Sequence, residues 1–439
     1  MSPPESILRK RLRKFRRLKR GYYSFLLVAG AYLVSFALPL IANNKALVVR
    51  YDGAFYFPVA AYHAAAEFGV QAIGEADYRA LEARFAAEGQ GNWVLMPPVP
   101  FGPNEALLDE TGTPPNPPSR AHLMGTDDRG RDVLVRLAYG FNISMTFAIV
   151  VTIVGEGLGI AIGAMLGYFG GTIDMLGQRG IEIWSSLPFL YTIIIISSVV
   201  VPVYLPGHYQ LAQPSFWLLV AILAAFNWMG ITYYVRGEFY REKVKDYVGA
   251  AMTAGVSDAG IIFSHILPNA LTPVVSFAPF VIVANIGSLV ALDFLGFGLP
   301  APTPSWGELI GQGMSNLSKW WLVFYPNGVL FLTPLLVVFI GEAVRVAKYH
   351  KRSGSRLRPH HVPESLPRVA CVRGEMAQVF LNLVLNALDA AGADGVVELR
   401  GGAAMGEVFV EIEDSGPGLS ESIRGRLFEP FVKIGRAHV

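Results

Sequence analysis

The chain contains 439 residues, of which 52% are hydrophobic and only 16% are charged, so it lacks the charge that covers an ordinary soluble domain. The excess apolar residues come in long blocks, which favours a membrane protein, and a formal net charge of +2 argues against nucleic acid as a partner. The single cysteine, Cys371, excludes a disulfide framework and a cysteine metal site, and the sequence has no Walker-type phosphate loop.

The first predicted elements are a basic N-terminus, a membrane helix and a long polar loop. Residues 1–21 contain nine Lys and Arg, a bias that holds this end in the cytoplasm. The apolar run at 22–41 suits a retained transmembrane helix, because it is longer than the apolar region of a signal peptide. Residues 42–140 then form an extended periplasmic loop, with proline-rich linkers and an amphipathic stretch at 76–87.

Five further apolar segments follow, and each is long enough to cross a bilayer. They lie at 144–168, 181–203, 216–235, 273–294 and 321–344. With the first helix they predict six crossings, so that residues 141–347 form the membrane core and the chain returns to the cytoplasm. The connection at 236–270 falls on the same side and is basic, as expected for a cytoplasmic loop.

The second crossing carries four glycines at a spacing of four residues, which places them on one helix face. They are Gly155, Gly159, Gly163 and Gly167. Such a face lets a neighbouring backbone approach closely, so we predict a role in helix packing. Glu156 lies in the same segment with two open interpretations, an acidic group on the translocation path or a carboxylate satisfied at a helix interface.

The segment at 246–269 carries the most informative pattern. Small residues, a glycine turn and a proline that limits the preceding helix predict a short helix lying across the cytoplasmic face. The pattern resembles the E-A-A-x-x-x-G loop, followed by I-x-L-P, of ATP-binding-cassette (ABC) importer permeases, with Gly249 replacing the usual Glu and His265 the usual Ile. The alternative is an ordinary amphipathic connector. The resemblance implies contact with a partner ATPase through Gly249, Ala250, Ala251, Gly255, Asp258, His265, Leu267 and Pro268.

Two further motifs resemble the dipeptide and oligopeptide permeases of this family. Residues 125–132 read G-T-D-D-R-G-R-D, and we predict that Thr126 or Asp127 caps the helix that follows, with contact to a binding protein or gate as the alternative. Residues 292–308 resemble the outer end of the fifth helix and a re-entrant segment, where Ser305 and Glu308 are predicted to form a capping box. The long first loop is similar to that of microcin C and oligopeptide importer permeases.

The resemblance covers residues 20–345 and implies an all-α polytopic membrane protein with the six-helix fold of type I ABC importer permeases. It implies a non-catalytic transport subunit of the bacterial inner membrane that forms half of a pore for peptides and holds no cofactor. The implied partners are a second permease subunit, ABC ATPase subunits that use ATP and magnesium, a periplasmic substrate-binding protein and the lipid bilayer.

The C-terminal region departs from this pattern. A basic linker at 348–365 leads into residues 366–433, which resemble the ATPase domain of histidine kinases. The matching residues are an N box with Asn386, a D-x-G-x-G box with Asp414, Gly416 and Gly418, and an F box at 427–431. The second glycine box and a phospho-accepting histidine motif are missing, so we predict a truncated α/β fragment with remnants of a nucleotide site.

The last six residues, 434–439, read as the translation of a common sequencing adapter, which predicts a chimeric reading frame. Two alternatives stay open beside the permease interpretation. One is a sensor histidine kinase that uses six helices as its input domain, and the other is a permease–kinase fusion.

Overall fold

The computed structural model describes residues 7–108, 112–196, 215–349, 356–361, 373–391, 395–404, 407–416 and 418. These residues divide into two compact units, 1–344 and 345–439. The first unit is built mainly of helices with one small sheet, and the second combines one helix with a second sheet.

The N-terminal region contains three helices, α1 (Ile7–Arg17), α2 (Lys19–Ser35) and α3 (Leu38–Ile41). The predicted continuous helix at 22–41 is therefore interrupted after Ser35. The Ser35 hydroxyl donates to the carbonyl of Tyr32 at 2.6 Å, a bond that bends helices. Pro39 lies in the first turn of α3, where its missing N–H leaves no gap in the hydrogen bonds.

A small sheet domain follows, formed by β1 (Val48–Tyr51), β2 (Ala54–Tyr56), α4 (Tyr78–Glu88) and β3 (Trp93–Leu95). The strands are antiparallel in the order β2-β1-β3. Asp77 caps α4 by accepting from two backbone N–H groups at 3.0 and 3.1 Å, so the helix begins just after the predicted start at residue 76. The buried core of this small sheet domain includes Val49, Phe68, Tyr78, Leu81 and Phe85.

The next helices are α5 (Val133–Phe169), α6 (Gly171–Ser185), α7 (Phe189–Ile195) and α8 (Phe216–Lys243). α5 has 37 residues, so it is about 55 Å long against a hydrocarbon core of roughly 30 Å. It begins well before the predicted crossing at 144–168, and its first turns extend past the apolar region. The predicted crossing at 181–203 falls in α6 and α7, and its last residues lie outside the described ranges.

The remaining elements of this unit are two long helices, α12 and α14, and several short ones. They are α9 (Asp246–Thr253), α10 (Asp258–Gly260), a π-helical turn (Ile261–Ile266), α11 (Leu267–Ala270), α12 (Thr272–Phe294), α13 (Trp306–Ser315) and α14 (Trp320–Tyr349). α5 packs along α8 and against α12, and this trio forms the centre of the unit.

Four helices in the described part of the chain are long and apolar enough to cross a membrane. They are Val133–Phe169, Phe216–Lys243, Pro273–Phe294 and Trp320–Ala347. They contain four of the six predicted crossings. Pro326 and Pro334 lie inside the last of them, a position that membrane helices tolerate because neighbouring groups satisfy the freed carbonyls.

The second unit contains β4 (Arg356–His361), α15 (Arg373–Ala391), β5 (Val396–Ala404) and β6 (Glu407–Asp414). The sheet order is β4-β5-β6, with β4 parallel and β6 antiparallel to β5. A helix between two parallel strands is the usual crossover connection, so this unit is an α/β structure as predicted. The F box at 427–431 and residues 434–439 lie outside the described residues.

Candidate functional site

α9 is held against the ends of the spanning helices by two inward side chains. Val248 and Ala251 are buried in a cluster that includes Tyr168 of α5 and Val235 and Phe239 of α8. The spacing of three residues places both inward side chains on one helix face. A displacement of α9 would therefore disturb the buried cluster that it shares with α5 and α8.

The opposite face of α9 is uncovered. Gly249 and Ala250 are exposed, and so are the apolar side chains of Tyr247 and Met252. The prediction that both alanines allow close approach of a partner is therefore corrected for Ala251, which packs inward. Only Gly249 and Ala250 leave the outer backbone of this helix open to a partner.

A tight turn follows α9 at Gly255, whose φ of +79° lies in the left-handed region that favours glycine. This is the turn that the sequence predicts. Ser257 then caps the next helix by accepting from the N–H of Gly260 at 3.3 Å. Asp258 accepts a 2.5 Å hydrogen bond from the Tyr168 hydroxyl, so it ties the segment to α5 although it is exposed.

The last part of the 246–269 segment returns the chain to α12. Leu267 is half-buried against the same cluster, Pro268 is exposed in the first turn of α11, and the carbonyl of His265 accepts from the Asn269 amide at 3.1 Å. Burial and a 2.7 Å hydrogen bond to the Glu242 carboxylate raise the pKa of Tyr247. These contacts make the segment an ordered body rather than a free loop.

A second polar contact ties α6 to α8 near the same end. Asp174 accepts hydrogen bonds from Arg236 at 2.5 and 2.7 Å and from the Tyr240 hydroxyl at 2.8 Å. The hydrogen bond from the Arg236 guanidinium is the main reason why the pKa of Asp174 lies below its ordinary value. This ion pair therefore fixes α6 to α8, one of the two helices against which the segment packs.

The four predicted packing glycines all face α8. A Cβ built on Gly155, Gly163 or Gly167 would lie 2.5 to 2.9 Å from its nearest α8 atom, and on Gly159 it would overlap Ile231. The opposing residues are Asn227, Ile231, Val235 and Phe239, also spaced by four. The two helices run parallel in matched register, and a side chain at any of the four positions would force them apart.

Glu156 is buried in α5, and its Oε1 has no hydrogen-bond partner within the described part of the chain. One turn away, Thr152 accepts from the Asn285 amide at 3.0 Å, and Asn285 accepts from Asn227 at 3.0 Å. This chain of polar groups links α5, α12 and α8 at the depth of the apolar core.

The two remaining permease motifs meet in space in an ion cluster formed by Asp127, Arg131, Arg136 and Glu308. Arg131 donates to Asp127 at 2.7 Å and to Glu308 at 2.9 Å, and Arg136 donates to Glu308 at 2.5 Å. Asp127 and Arg136 have no exposed side-chain surface. Burial raises the pKa of Glu308, but Arg136 and Arg131 outweigh burial and hold this pKa below its ordinary value.

The ion cluster corrects two predicted caps. Asp132, not Thr126 or Asp127, caps α5 by accepting from the N–H of Val135 at 2.9 Å. Ser305 caps α13 as predicted, at 3.2 Å from the N–H of Glu308. The Glu308 carboxylate completes no capping box, because it binds the two arginines instead. Arg136 could have revealed the ion cluster from the sequence. It is a charged residue beside an apolar segment, and such a charge needs a partner of opposite sign.

In the second unit the predicted nucleotide remnants lie on two elements. Asn386 is exposed on α15, and Asp414 is exposed at the end of β6, where it accepts from the N–H of Gly416 at 2.8 Å. Gly418 has a φ of +74°. In the described part of the chain no group of three or more His, Cys, Asp or Glu side chains could hold a metal ion.

Two family models match the chain. The model of the binding-protein-dependent transport system inner membrane component matches residues 159–347. The model of the histidine kinase-, DNA gyrase B- and HSP90-like ATPase matches residues 372–438, in agreement with the boxes found in the sequence.

Curated relatives extend the first match over most of the chain. The inner membrane ABC transporter permease protein YejE of Escherichia coli K12 is 41% identical over 347 residues, covering 79% of this chain and 98% of the relative. The peptidoglycan transport system permease protein YejE of Agrobacterium fabrum is 35% identical, covering 77% and 92%. The oligopeptide transport system permease protein OppC of Lactococcus lactis subsp. lactis is 35% identical, covering 52% and 75%.

These relatives and the apolar helices confirm the predicted fold class, a multi-pass helical membrane protein. The packed helices, the ordered 246–269 segment and the relative that is matched over nearly its full length lead to one conclusion. The chain belongs to the family of binding-protein-dependent transport system inner membrane components, the permease subunits of ABC importers.

Proposed function

We propose that this chain forms half of the pore of a peptide importer in the bacterial inner membrane and receives its driving force through the 246–269 segment. The observation that carries the proposal is α9, a short helix anchored by Val248 and Ala251 whose other face is uncovered. An exposed apolar patch on a rigid support suits a protein partner. Peptides are the proposed cargo because two relatives are named for oligopeptide and peptidoglycan transport.

The partners proposed for this machine follow from the division of labour in the family. A periplasmic binding protein delivers the peptide, a second permease subunit completes the pore, and ABC ATPase subunits bind ATP and magnesium. Closure of the ATPases would push α9, and the buried cluster that α9 shares with Tyr168 and Phe239 would pass the motion to α5 and α8. The pore then changes between two packings, a switch that close-packed helices support.

The coupling role of the turn can be tested with Gly255→Val. Valine is β-branched and unsuited to a φ of +79°, so the turn should rearrange at a cost of about 1–3 kcal/mol. We expect normal membrane insertion and continued ATP hydrolysis, with peptide uptake lost in proteoliposomes that contain the complete importer. Gly255→Asn is the matched control, because asparagine tolerates the left-handed region and should retain uptake. Normal uptake by the valine variant would disprove the coupling role of this turn.

We further propose that residues 366–439 take no part in transport. The Escherichia coli relative is covered over 98% of its length by 79% of this chain, so the transport function needs no counterpart of a further region. The match to the ATPase model over 372–438 favours a second candidate function, nucleotide binding in this unit. Asn386 and Asp414 are exposed, so nucleotide binding by this unit can be tested by changing their side chains.

The two functions separate in one pair of experiments. A chain that ends after Tyr349, the last residue of α14, should support peptide uptake as well as the full chain does. The full chain should bind labelled ATP no better than its Asp414→Ala variant, measured in the same nanodiscs. Loss of uptake on truncation, together with weaker ATP binding by the Asp414 variant, would show instead that the second unit is a working domain.

A further inference from the structure

The basic N-terminal helix α1 is separated from the first apolar helix by a break at Leu18. This residue has φ −83° and ψ 77°, outside the helical region, and α2 begins at Lys19. The aromatic ring of Phe15 packs edge-on against Tyr22 at 6.2 Å and against Phe25 at 5.9 Å. The break and these ring contacts make a defined elbow, so α1 is not a simple extension of α2.

The charged residues of this helix and its linker are all basic. Residues 7–20 contain nine Lys and Arg and no Asp or Glu. If these basic residues served only to hold the N-terminus in the cytoplasm, their number would matter but their arrangement along the helix would not. Here the apolar positions 8, 12 and 15 follow the spacing i, i+4, i+7 that marks one stripe of a helix, and the side chain of Leu12 is half exposed.

We propose that α1 lies in the plane of the membrane surface and binds anionic phospholipid headgroups. The inference rests on the membrane location of the chain and not on its cargo. A stripe of apolar residues beside a field of cations matches the boundary between acyl chains and negatively charged headgroups. The guanidinium groups suit lipid phosphates, since their fork of N–H donors binds two oxygens at once. The elbow at Leu18 places this helix directly beside the first apolar helix, where that boundary begins.

An acidic protein surface could also attract the cations, but it would not require the apolar stripe to be immersed. The depth of the apolar stripe in the membrane therefore distinguishes binding to lipid from binding to an acidic protein. A nitroxide label on Leu12→Cys, in a full chain that also carries Cys371→Ser, reports depth through its collisions with oxygen and with a water-soluble nickel complex. Arg17→Cys is the matched control, because it lies about 140° around the same helix from Leu12.

The labelled chains are placed without partners in nanodiscs of phosphatidylcholine, with or without phosphatidylglycerol. With phosphatidylglycerol present, the Leu12 label should become accessible to oxygen and protected from nickel, while the Arg17 label stays in water. Changing Arg13, Lys14, Arg16 and Arg17 to Gln should weaken the preference for phosphatidylglycerol by about tenfold or more, since each cation adds to the attraction. Five basic residues remain in 7–20 to hold the orientation. Exchanging the three arginines of this set for Lys should preserve most of the preference.

Three results would overturn the proposal. A Leu12 label that stays in water in anionic discs would show that α1 does not enter the interface. Equal immersion in both kinds of disc would show that the cations do not select the headgroup charge. Protection of the label only after addition of the ATPase subunits would assign α1 to a protein surface.

Discussion

Arg136→Met should destabilise the full chain by about 3–5 kcal/mol, the loss expected when one partner is removed from a buried ion pair. Arg136 has no exposed side-chain surface, and it balances the negative charges of Asp127 and Glu308 together with Arg131. Methionine fills a similar volume but leaves one carboxylate uncompensated. The measurement is thermal or denaturant unfolding of the purified chain in one detergent.

The matched control is Arg129→Met, in the loop that precedes α5. Arg129 lies 3.8 Å from Glu308 with a side chain that is 58% exposed, so its loss should cost less than about 1 kcal/mol. Arg136→Lys should fall between the two variants, because it keeps the charge and loses the fork of donors. Equal stabilities of the Arg136→Met and Arg129→Met variants would show that the buried cluster does not hold the two motifs together.

Gly159→Leu is expected to separate α5 from α8 and to cost about 3 kcal/mol or more, at or beyond the upper end of ordinary overpacking. A Cβ at this position would overlap Ile231 and would lie 2.5 Å from the carbonyl oxygen of Trp228. A backbone atom cannot rotate away, so shortening Ile231 to alanine should restore little of the stability. The measurement is the fraction of monodisperse chain after purification, together with its unfolding temperature.

Gly157→Leu tests the same substitution on the same helix. A Cβ on Gly157 meets no atom within 4 Å, so this variant carries the same change in helix propensity without a clash. We expect it to purify like the unmodified chain. Similar losses in both variants would mean that glycine flexibility, rather than close approach to α8, explains the four-residue spacing.

Several features of the fold were predictable because they depend on local geometry. A left-handed turn needs glycine, and Gly255 has the φ that its position in the motif predicts. Apolar length marks a crossing whatever the helix packs against, and four predicted segments lie in helices long enough to span. The spacing of Gly155 to Gly167 indicated a packing face without naming the helix that fills it.

The roles of the charged residues depended on distant parts of the chain. Asp127, Asp132 and Glu308 each had the chemistry of a helix cap, and local pattern alone did not rank them. Arg131 and Arg136 meet Glu308 across more than 170 residues, so the partners of this carboxylate lie far from it in the sequence. Asp132, three residues before Val135, caps α5.

The sequence by itself determined that this protein spans a membrane in several helices, has a basic N-terminus and turns at Gly255, because apolar length, charge and backbone freedom are properties of each segment. Only the tertiary structure decided that Ala251 faces inward, that the glycine face meets α8 and that the two outer motifs join through Glu308. Those outcomes depend on which surfaces come together, and burial makes a side chain's partner matter more than its own preference.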